Sequence, residues 1–249
     1  MKVFAIADLH LNLSVPDKSM EIFGPVWESY VEKIARNWKQ TVHEEDLVLV
    51  PGDICWAMSI QEAQIDLGWI DDLPGRKLML KGNHDYWWSS LSKVKSILPD
   101  SIEVLQNDAF HIQDISIAGA RLWDSSEYTF ESYIEYRPNP KEKKDIDAQI
   151  QKDLNEKLFT RELERLQRSL QKIDPKAKYK LAMTHYPPIS ADLQDSKVSK
   201  LLEKYEIQKC VFGHLHSLKQ GSQLFGVKNN IEYIFVAADY VGFTPVRIL

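Results

Sequence analysis

The stretch KLMLKGNHD, residues 77–85, joins a mainly apolar run to a cluster of polar residues. A short apolar run with a glycine after it is typical of a buried strand, and the polar residues lie where that strand ends. The same order recurs in KVFAIADLH, residues 2–10, and in LVLVPGD, residues 47–53. Alternation of such strands with helical patterns predicts a largely buried sheet with the polar residues gathered at one edge.

Two further polar clusters follow apolar runs in the second half of the chain. Residues 181–188 have the sequence LAMTHYPP, and residues 210–216 have the sequence CVFGHLH. The five clusters contain five of the seven histidines. Together they offer seven candidate metal ligands with oxygen or imidazole nitrogen donors: Asp8, His10, Asp53, Asn83, His185, His214 and His216.

This ligand set is large enough for two divalent ions. A pair of ions that shares one carboxylate needs roughly three or four protein ligands for each ion. Two dications, two carboxylates and one hydroxide leave about one net positive charge, which favours an anionic substrate such as a phosphate ester. A lone Gly52-Asp53 pair is also common at ordinary turns, so the prediction depends on the five clusters occurring together.

The order D-x-H, G-D, G-N-H-D, H and G-H-x-H resembles the signature of the calcineurin-like metallophosphoesterase superfamily, in a form similar to its bacterial phosphohydrolases. The resemblance extends from Asp8 to His216. It implies an α/β fold with four layers, α-β-β-α, in which two mixed β-sheets are flanked by helices. We therefore expect a single domain over residues 1–249, with a charged helical insert or cap at about residues 123–173.

The resemblance also implies a role for each polar residue. One ion would be held by Asp8, His10, Asp53 and His216, and the other by Asp53, Asn83, His185 and His214, with Asp53 as the bridge. His84 would be the general acid, and Asp85 would orient its imidazole. A metal-bridging hydroxide would attack phosphorus in line. Manganese is the first expectation for the metal, and iron, zinc, cobalt and nickel also suit a ligand set of mixed nitrogen and oxygen donors.

Residues near the clusters are candidates for binding the substrate. We expect that substrate to be a small phosphomonoester or phosphodiester, a class that includes nucleotides. We expect contacts from Lys81, Trp87, Arg121, Trp123 and Arg137. The tryptophans suit a flat leaving group such as a nucleobase, and the cations suit phosphate. The alternative for each tryptophan is that it packs the helices beside a strand end.

Composition narrows the function classes. The 249 residues carry a formal net charge of -5, which argues against an extended nucleic-acid surface and so against a nuclease. A protein phosphatase is a second alternative, although Lys81 stands where that group usually has arginine. A binding scaffold without catalysis is a third, and the presence of every ligand together with His84 and Asp85 disfavours it. The oligomeric state stays open.

The compartment is predicted from cysteine content and from the chain's first residues. Two cysteines, Cys55 and Cys210, are too few for a disulfide framework and fit a reducing cytoplasm. The first strand begins at residue 1 or 2, which leaves no room for a cleaved signal peptide before the site. The sequence contains no apolar stretch of membrane-spanning length. We therefore expect a cytoplasmic enzyme with no membrane partner.

The helical patterns lie between the strands. Apolar residues at every fourth position predict a helix over residues 19–41, and Ser59 with Glu62 predicts a capping box for a helix ending at Ile70. Shorter helices are expected at residues 90–97 and 196–205. A long helix in the insert has an apolar stripe of Leu154, Leu158, Leu163, Leu166, Leu170 and Ile173.

Overall fold

The protein folds around two β-sheets. The computed structural model describes residues 1–135, 148–219, 221–222 and 224–249. The first sheet contains β1 (Val3–Ala5), β2 (Leu47–Val50), β3 (Arg76–Met79), β4 (Ile102–Val104) and β11 (Val246–Arg247). The second contains β5 (Ala109–Ile112), β6 (Ile115–Ala120), β7 (Tyr179–Thr184), β8 (Lys209–Phe212), β9 (Gly226–Lys228) and β10 (Ile231–Phe235).

Both sheets are mixed, with a parallel centre and antiparallel edges. Strands β1 to β4 are parallel, and β11 pairs antiparallel with β1. Strands β6, β7, β8 and β10 are parallel, and β5 and β9 are antiparallel additions at the two edges. A hydrogen bond from Ala7 N to Val236 O, 2.8 Å long, connects the sheets just beyond β1. The parallel strands of both sheets therefore end close to one another.

Successive side chains along each strand point to opposite faces of its sheet, so each sheet packs against a hydrophobic core on both faces. Val48 and Val50 pack outward in a cluster with residues of α1 (Tyr30–Thr41), α2 (Ile60–Asp71) and α3 (Leu91–Lys95). Leu47 and Leu49 instead join residues of β7 and β8 between the sheets. Residues of β7 and β8 on the other face pack against α4 (Ala148–Leu170) and α5 (Lys197–Lys204). These layers confirm the predicted four-layer sandwich.

The predicted helix over residues 19–41 is wrong in its first half. Residues 16–27 form three short 3-10 turns, and α1 begins only at Tyr30. Gly24 has a φ of 119°, and Pro25, which lacks an amide hydrogen, begins the third turn, so a continuous helix is interrupted there. Ile22 and Val26, the first two of the apolar residues at every fourth position that predicted the helix, are 65% and 43% exposed.

The predicted capping box of α2 is confirmed. The Ser59 side chain accepts from the Glu62 amide at 3.3 Å, and Glu62 Oε2 accepts from the Ser59 amide at 2.9 Å. Two amides at the helix start, which have no partner within the helix, are satisfied in this way. The expected helices at residues 90–97 and 196–205 are present as α3 and α5.

Helix α4 lies in the predicted insert and packs with its second half on the second sheet. Leu166 and Leu170 are fully buried there, whereas Leu154 is 44% exposed, so the predicted stripe holds mainly toward the helix end. Phe159, outside that stripe, is also buried. The cap role of residues 123–173 stays a prediction, and residues 136–147 lie outside the described part of the chain.

The two cysteines are buried free thiols. Burial raises the pKa of the Cys55 thiol, and burial raises that of Cys210 to about 12. Both are therefore protonated at neutral pH. Among the described residues, no helix combines the length and the apolar character needed to cross a membrane.

Candidate metal centre

The seven predicted ligands lie just after the carboxyl ends of parallel strands in both sheets. Strands β1, β2 and β3 of the first sheet lead to Asp8, His10, Asp53 and Asn83, and β7 and β8 of the second lead to His185, His214 and His216. Backbone hydrogen bonds join the loops, with Asp8 N donating to Gly52 O and His10 N donating to Asp53 O, each at 3.0 Å. The structure thus brings all seven to one place.

Two histidines and two carboxylates form one side of the centre. Nε2 of His10 lies 3.2 Å from Nε2 of His216 and 3.6 Å from Oδ2 of Asp53. Donor atoms of Asp8, His10 and His216 all lie within 4.8 Å of one another. Two ligand atoms about 2.1 Å from one ion, with an angle of about 90–109° between them, are about 3.0–3.4 Å apart. The spacing of the two imidazoles therefore fits one ion.

The other side of the centre is built around Asn83 and His185. Oδ1 of Asn83 lies 2.6 Å from Nε2 of His185 and 3.1 Å from Nδ1 of His214. Nε2 of His185 is also 3.5 Å from Oδ2 of Asp53. The same oxygen of Asp53 is thus nearly equidistant from His10 on one side and His185 on the other. This is the position that a bridging carboxylate requires.

Neighbouring acceptors orient two of the imidazoles. Nδ1 of His185 is 3.0 Å from the Pro51 carbonyl oxygen, and Nδ1 of His216 is 3.0 Å from Oδ1 of Asp239. An N–H that donates to such an acceptor leaves the Nε2 lone pair free for a metal. Sequence reasoning missed Asp239. Its signal was a carboxylate two residues after the apolar run of residues 231–237, in the pattern that marked the other clusters.

The electrostatics of the centre favour a bound cation. Burial raises the pKa of the Asp8 and Asp53 carboxyl groups. Burial lowers the pKa of His10, His185 and His214, which keeps these imidazoles neutral and able to bind a metal. Oδ1 of Asp8 is buried and has no hydrogen-bond partner within the described residues. A metal ion would supply the missing partner and compensate both carboxylates.

The pKa of His216, whose Nδ1 lies 3.0 Å from Oδ1 of Asp239, changes in the direction opposite to that of the other three imidazoles. Burial opposes its protonation, but the carboxylates of Asp239, Asp8 and Asp53 together outweigh burial and raise the pKa of His216 to about 9. A metal ion on Nε2 would take the place of that proton.

Four candidate ligands have left-handed backbone conformations. The φ angles are 58° at Asp8, 45° at His10, 51° at Asp53 and 77° at His214. Such residues are uncommon outside glycine, and backbone strain of this kind clusters at functional sites. The left-handed conformation turns each side chain from the strand direction into the centre.

Two glycines allow the loops to approach one another closely. A Cβ atom on Gly82 would collide with Oδ1 and the backbone nitrogen of Asp53, and one on Gly213 would collide with Oδ2 of Asp8. The glycines before the ligands in G-N-H-D and G-H-x-H are therefore required by space.

His84 lies at the open side of the centre. Its ring contacts the indole of Trp56 with centroids 4.7 Å apart, and its Nδ1 is 3.4 Å from the Tyr86 hydroxyl. Its backbone amide donates to Oδ1 of Asp53 at 2.8 Å. Burial lowers the pKa of His84, while the Asp53 carboxylate acts in the opposite direction. The imidazole is placed beside the metal ligands and is itself free to exchange a proton.

Asp85 has different contacts from those predicted. Oδ1 accepts from the amides of Ile54 and Cys55 and from the indole of Trp87, and Oδ2 accepts from the Gly82 amide at 2.7 Å. These bonds hold the G-D loop against the G-N-H-D loop. Burial, followed by repulsion from Asp53, raises the pKa of Asp85 to about 7. The group next to the His84 ring nitrogen is Tyr86, so the orienting role of Asp85 stays a prediction without a matching contact.

The structure contradicts the substrate contact predicted for Trp87. Its side chain is 2% exposed and packs in the core of the first sheet, with its indole nitrogen donating to Asp85. The aromatic side chains beside His84 are instead Trp56, which stacks on His10 with centroids 4.9 Å apart, and Tyr86, which is 55% exposed. The packing alternative is therefore correct for Trp87.

The other predicted substrate contacts lie on one side of the centre. Nζ of Lys81 donates to the Trp88 carbonyl at 2.7 Å. The Arg121 guanidinium lies over the Trp123 ring, 4.6 Å from its centroid. Trp123 also contacts Tyr186, the residue after the ligand His185. Arg137 lies outside the described residues.

Comparison with known proteins gives two short matches to phage proteins. Gene 66 protein of Mycobacterium phage D29 is 33% identical over 84 residues, which are 33% of this chain and 40% of that protein. Gene 66 protein of Mycobacterium phage L5 is 41% identical over 59 residues, 23% of this chain and 28% of that protein. The chain thus spans less than half the length of these relatives.

Solved structures match over nearly the whole chain at low sequence identity. A protein of unknown function from Aquifex aeolicus has a TM-score of 0.51 at 14% identity, covering 99% of this chain and 95% of that one. Phosphopantetheinyl hydrolase from Mycobacterium tuberculosis has a TM-score of 0.51 at 12% identity, covering 100% and 95%. These likenesses concern the fold.

The family follows from a match along the sequence. The model of the calcineurin-like phosphoesterase family matches residues 1–218, a range that contains all seven candidate ligands. The match confirms the family that the five clusters predicted. This chain belongs to the calcineurin-like phosphoesterase family.

Proposed function

We propose that this protein hydrolyses a small phosphate ester at a centre of two divalent ions. The observation that carries the proposal is the position of Asp53, whose Oδ2 is 3.6 Å from Nε2 of His10 and 3.5 Å from Nε2 of His185. Asp8, His10, Asp53 and His216 would hold one ion, and Asp53, Asn83, His185 and His214 the other. When bound, the ions would lower the pKa of water toward neutrality and stabilise negative charge on the phosphoryl group.

The protein side chains perform the remaining steps. His84 gives a proton to the leaving oxygen, and its place beside Trp56 and Tyr86 directs the leaving group toward the aromatic side of the centre. Asp85 keeps the two ligand loops in register through its buried hydrogen bonds. Asp239 keeps Nε2 of His216 directed at the centre. Water attacks phosphorus in line with the bond to the leaving group.

Metal and substrate are inferred from the same donors and their surroundings. A mixed set of imidazole, carboxylate and amide ligands without thiolate accepts manganese, our first choice, as well as iron, zinc, cobalt or nickel. Trp56 and Tyr86 offer stacking surfaces to a nucleotide or another flat leaving group. The buried thiols Cys55 and Cys210 support a reducing compartment, the cytoplasm.

The net charge of -5 makes a nuclease the weaker alternative, and Lys81 before G-N-H makes a protein phosphatase weaker. A binding scaffold without catalysis is disfavoured because the ligand set and His84 are complete.

The direct test measures initial hydrolysis rates of an aryl phosphomonoester and the matching diester, with added manganese and with a chelator control. We expect hydrolysis that depends on the metal and is abolished by the chelator. Preference for the diester would direct the search to nucleotide-linked or cyclic diesters, and preference for the monoester to small phosphate metabolites. A rate equal to that of the chelated enzyme for both substrates, at full metal occupancy, would contradict the proposal.

A further inference from the structure

A second polar cavity lies beside the metal centre, on the side of α4. Its volume is about 190 Å³. The side chains that define its chemistry are Lys81, Asn107, Arg121, Arg161, Glu162 and Arg165. We call this group the cationic cavity. Its volume is about six times the share of one water molecule in the liquid, about 30 Å³, so it can admit a phosphate group.

Glu162 is the centre of the cationic cavity. Its side chain is 1% exposed, and its Oε1 lies 2.7 Å from Arg165 NH1, 3.2 Å from Arg121 NH2 and 3.6 Å from Arg161 NH2. A buried carboxylate that contacts three guanidinium groups fixes their positions in advance of any ligand. Arg121 approaches from the end of β6, and the other two arginines project from α4.

One carboxylate does not balance the charge of this cavity. Four cationic side chains line it together with Glu162, an excess of three positive charges. Each guanidinium has several N–H donors, and they cannot all reach one oxygen. Nε of Arg121 is buried and, within the described residues, has no hydrogen-bond partner. These unused donors and the excess charge match a doubly charged anion.

The cationic cavity and the metal centre share backbone segments. The carbonyl oxygen of Arg121 accepts from the amides of His185 and Tyr186, at 3.2 and 2.9 Å. Lys81 directly precedes Gly82 and Asn83. The cavity is open to solvent through Arg161, whose side chain is 52% exposed. An anion held there would therefore lie next to a phosphate ester held by the ions.

We propose that the cationic cavity binds a second phosphate group of the substrate, so that the preferred substrates are organic molecules carrying two phosphate groups. This inference rests on the proposed function. Glu162 is a positioning residue that aligns the three arginines, and Arg161 and Arg165 determine specificity. The metal centre hydrolyses one phosphate ester, and the cationic cavity holds the other phosphate without reacting with it.

The first test measures binding and does not require activity. Sulfate is titrated calorimetrically into the full chain after removal of metal with a chelator, so that the metal centre offers no metal ion to it. We expect Arg161→Gln and Arg165→Gln each to weaken sulfate binding about tenfold. The matched control is Arg168→Gln on the same helix, because Arg168 pairs with Glu164 at 3.4 Å and does not line the cavity.

The second test measures selectivity in the manganese-loaded enzyme. A series of alkanediol bisphosphates of increasing chain length is compared with the matching alkyl monophosphates. We expect Arg161→Gln to reduce kcat/KM for the best bisphosphate about tenfold more than for its monophosphate partner. Arg168→Gln should leave the ratio unchanged. Thermal unfolding checks that each variant is folded. Because Arg161 is exposed, Arg161→Gln leaves the contacts of Arg121 and Arg165 with Glu162 in place.

The outcomes separate this inference from the proposed function. Unchanged sulfate binding in both arginine variants would overturn the cationic cavity as an anion site. Weakened sulfate binding with an unchanged ratio of kcat/KM would overturn its role toward substrate. Absence of hydrolysis of every ester, with sulfate binding that depends on Arg161 and Arg165, would contradict the proposed phosphoesterase and the substrate role while confirming the anion site.

Discussion

The metal centre and the cationic cavity both contain buried carboxylates, but the side chains that face these carboxylates differ. In the cationic cavity the buried carboxylate of Glu162 contacts three arginines of the chain itself. In the metal centre the buried carboxylates of Asp8 and Asp53 face histidines, and within the described residues no lysine or arginine forms an ion pair with either of them.

This difference in compensating charge indicates whether each pocket binds a cation or an anion. A buried carboxylate is stable only when a positive charge or sufficient hydrogen bonds compensate it. Glu162 is compensated in excess, so its pocket has affinity left for an anion. Asp8 and Asp53 are compensated by the chain only in part, because each accepts from a backbone amide but Oδ1 of Asp8 has no hydrogen-bond partner within the described residues, so their pocket has affinity left for cations. Two adjacent pockets of opposite character suit a substrate that bears phosphate at two places.

The largest expected effect comes from removing the bridging charge. Asp53→Asn keeps a side chain of similar shape at a left-handed position but loses the carboxylate, so we expect loss of at least one metal ion and about 10⁴-fold lower kcat/KM. Metal content is measured by elemental analysis and activity with an aryl phosphate. The control is Asp46→Asn, since Asp46 is buried away from the centre and accepts from the backbone amides of Lys2 and His43. Full metal occupancy in Asp53→Asn would rule out the bridging role.

A smaller effect is expected from His84→Ala, which separates proton transfer from metal binding within the same pocket. Because His84 is the proposed proton donor, kcat should fall by about 10²–10⁴-fold while both ions remain bound. The comparison variant is His111→Ala, whose imidazole contacts Ser116 outside the centre. An unchanged kcat would exclude His84 as the acid, and loss of metal would make it a ligand instead.

In the cationic cavity, Glu162→Gln tests whether the carboxylate compensates the charge of the three arginines around it. Without the carboxylate, three guanidinium groups lie together with no counter-charge, and we expect the free energy of unfolding to fall by about 3 kcal/mol. Urea denaturation measures it. Glu164→Gln, at an exposed position of the same helix, should change stability by less than about 0.5 kcal/mol. Equal stability of the two variants would show that Glu162 does not organise the arginines.

The last prediction concerns metal removal from the wild-type protein. Each ion present at about 100 times its dissociation constant stabilises the fold by about 2.7 kcal/mol, so removal of two ions by a chelator should lower Tm by about 10–20 °C. Differential scanning calorimetry measures the shift. Asp53→Asn should show a smaller shift, and Glu162→Gln the full one. An unchanged Tm after addition of the chelator would mean that bound cations do not stabilise the metal centre, so that the two pockets would not differ in the way described.

The features that sequence predicted well are those coded locally. Each candidate ligand lies within five residues of the end of a strand, and each capping residue lies within three positions of its partner, as in Ser59 and Glu62. The first half of the helix predicted over residues 19–41 failed although its signal was local, because Gly24-Pro25 overrides the apolar spacing. The glycine and proline should have outweighed the periodicity.

The features that sequence did not predict depend on contacts between distant residues. Trp87 packs in a core whose other residues come from distant parts of the chain, and Asp85, to which its indole donates, accepts from the amide of Ile54, 31 residues away. Asp239 meets His216 across the end of the second sheet. Arg121 meets Glu162 from a position 41 residues away. None of these pairs has a fixed spacing along the chain from which it could be predicted.

The left-handed conformations at Asp8, His10, Asp53 and His214 have a consequence for how this fold changes over evolution. Each such residue costs about 1–2 kcal/mol relative to a relaxed backbone, and glycine at the same place would not. The positions proposed to hold the metal therefore lower the stability of the metal-free chain. A descendant that no longer needed the ions would gain thermostability by exchanging these ligands for glycine, so loss of activity in this lineage is expected to be accompanied by a more stable scaffold.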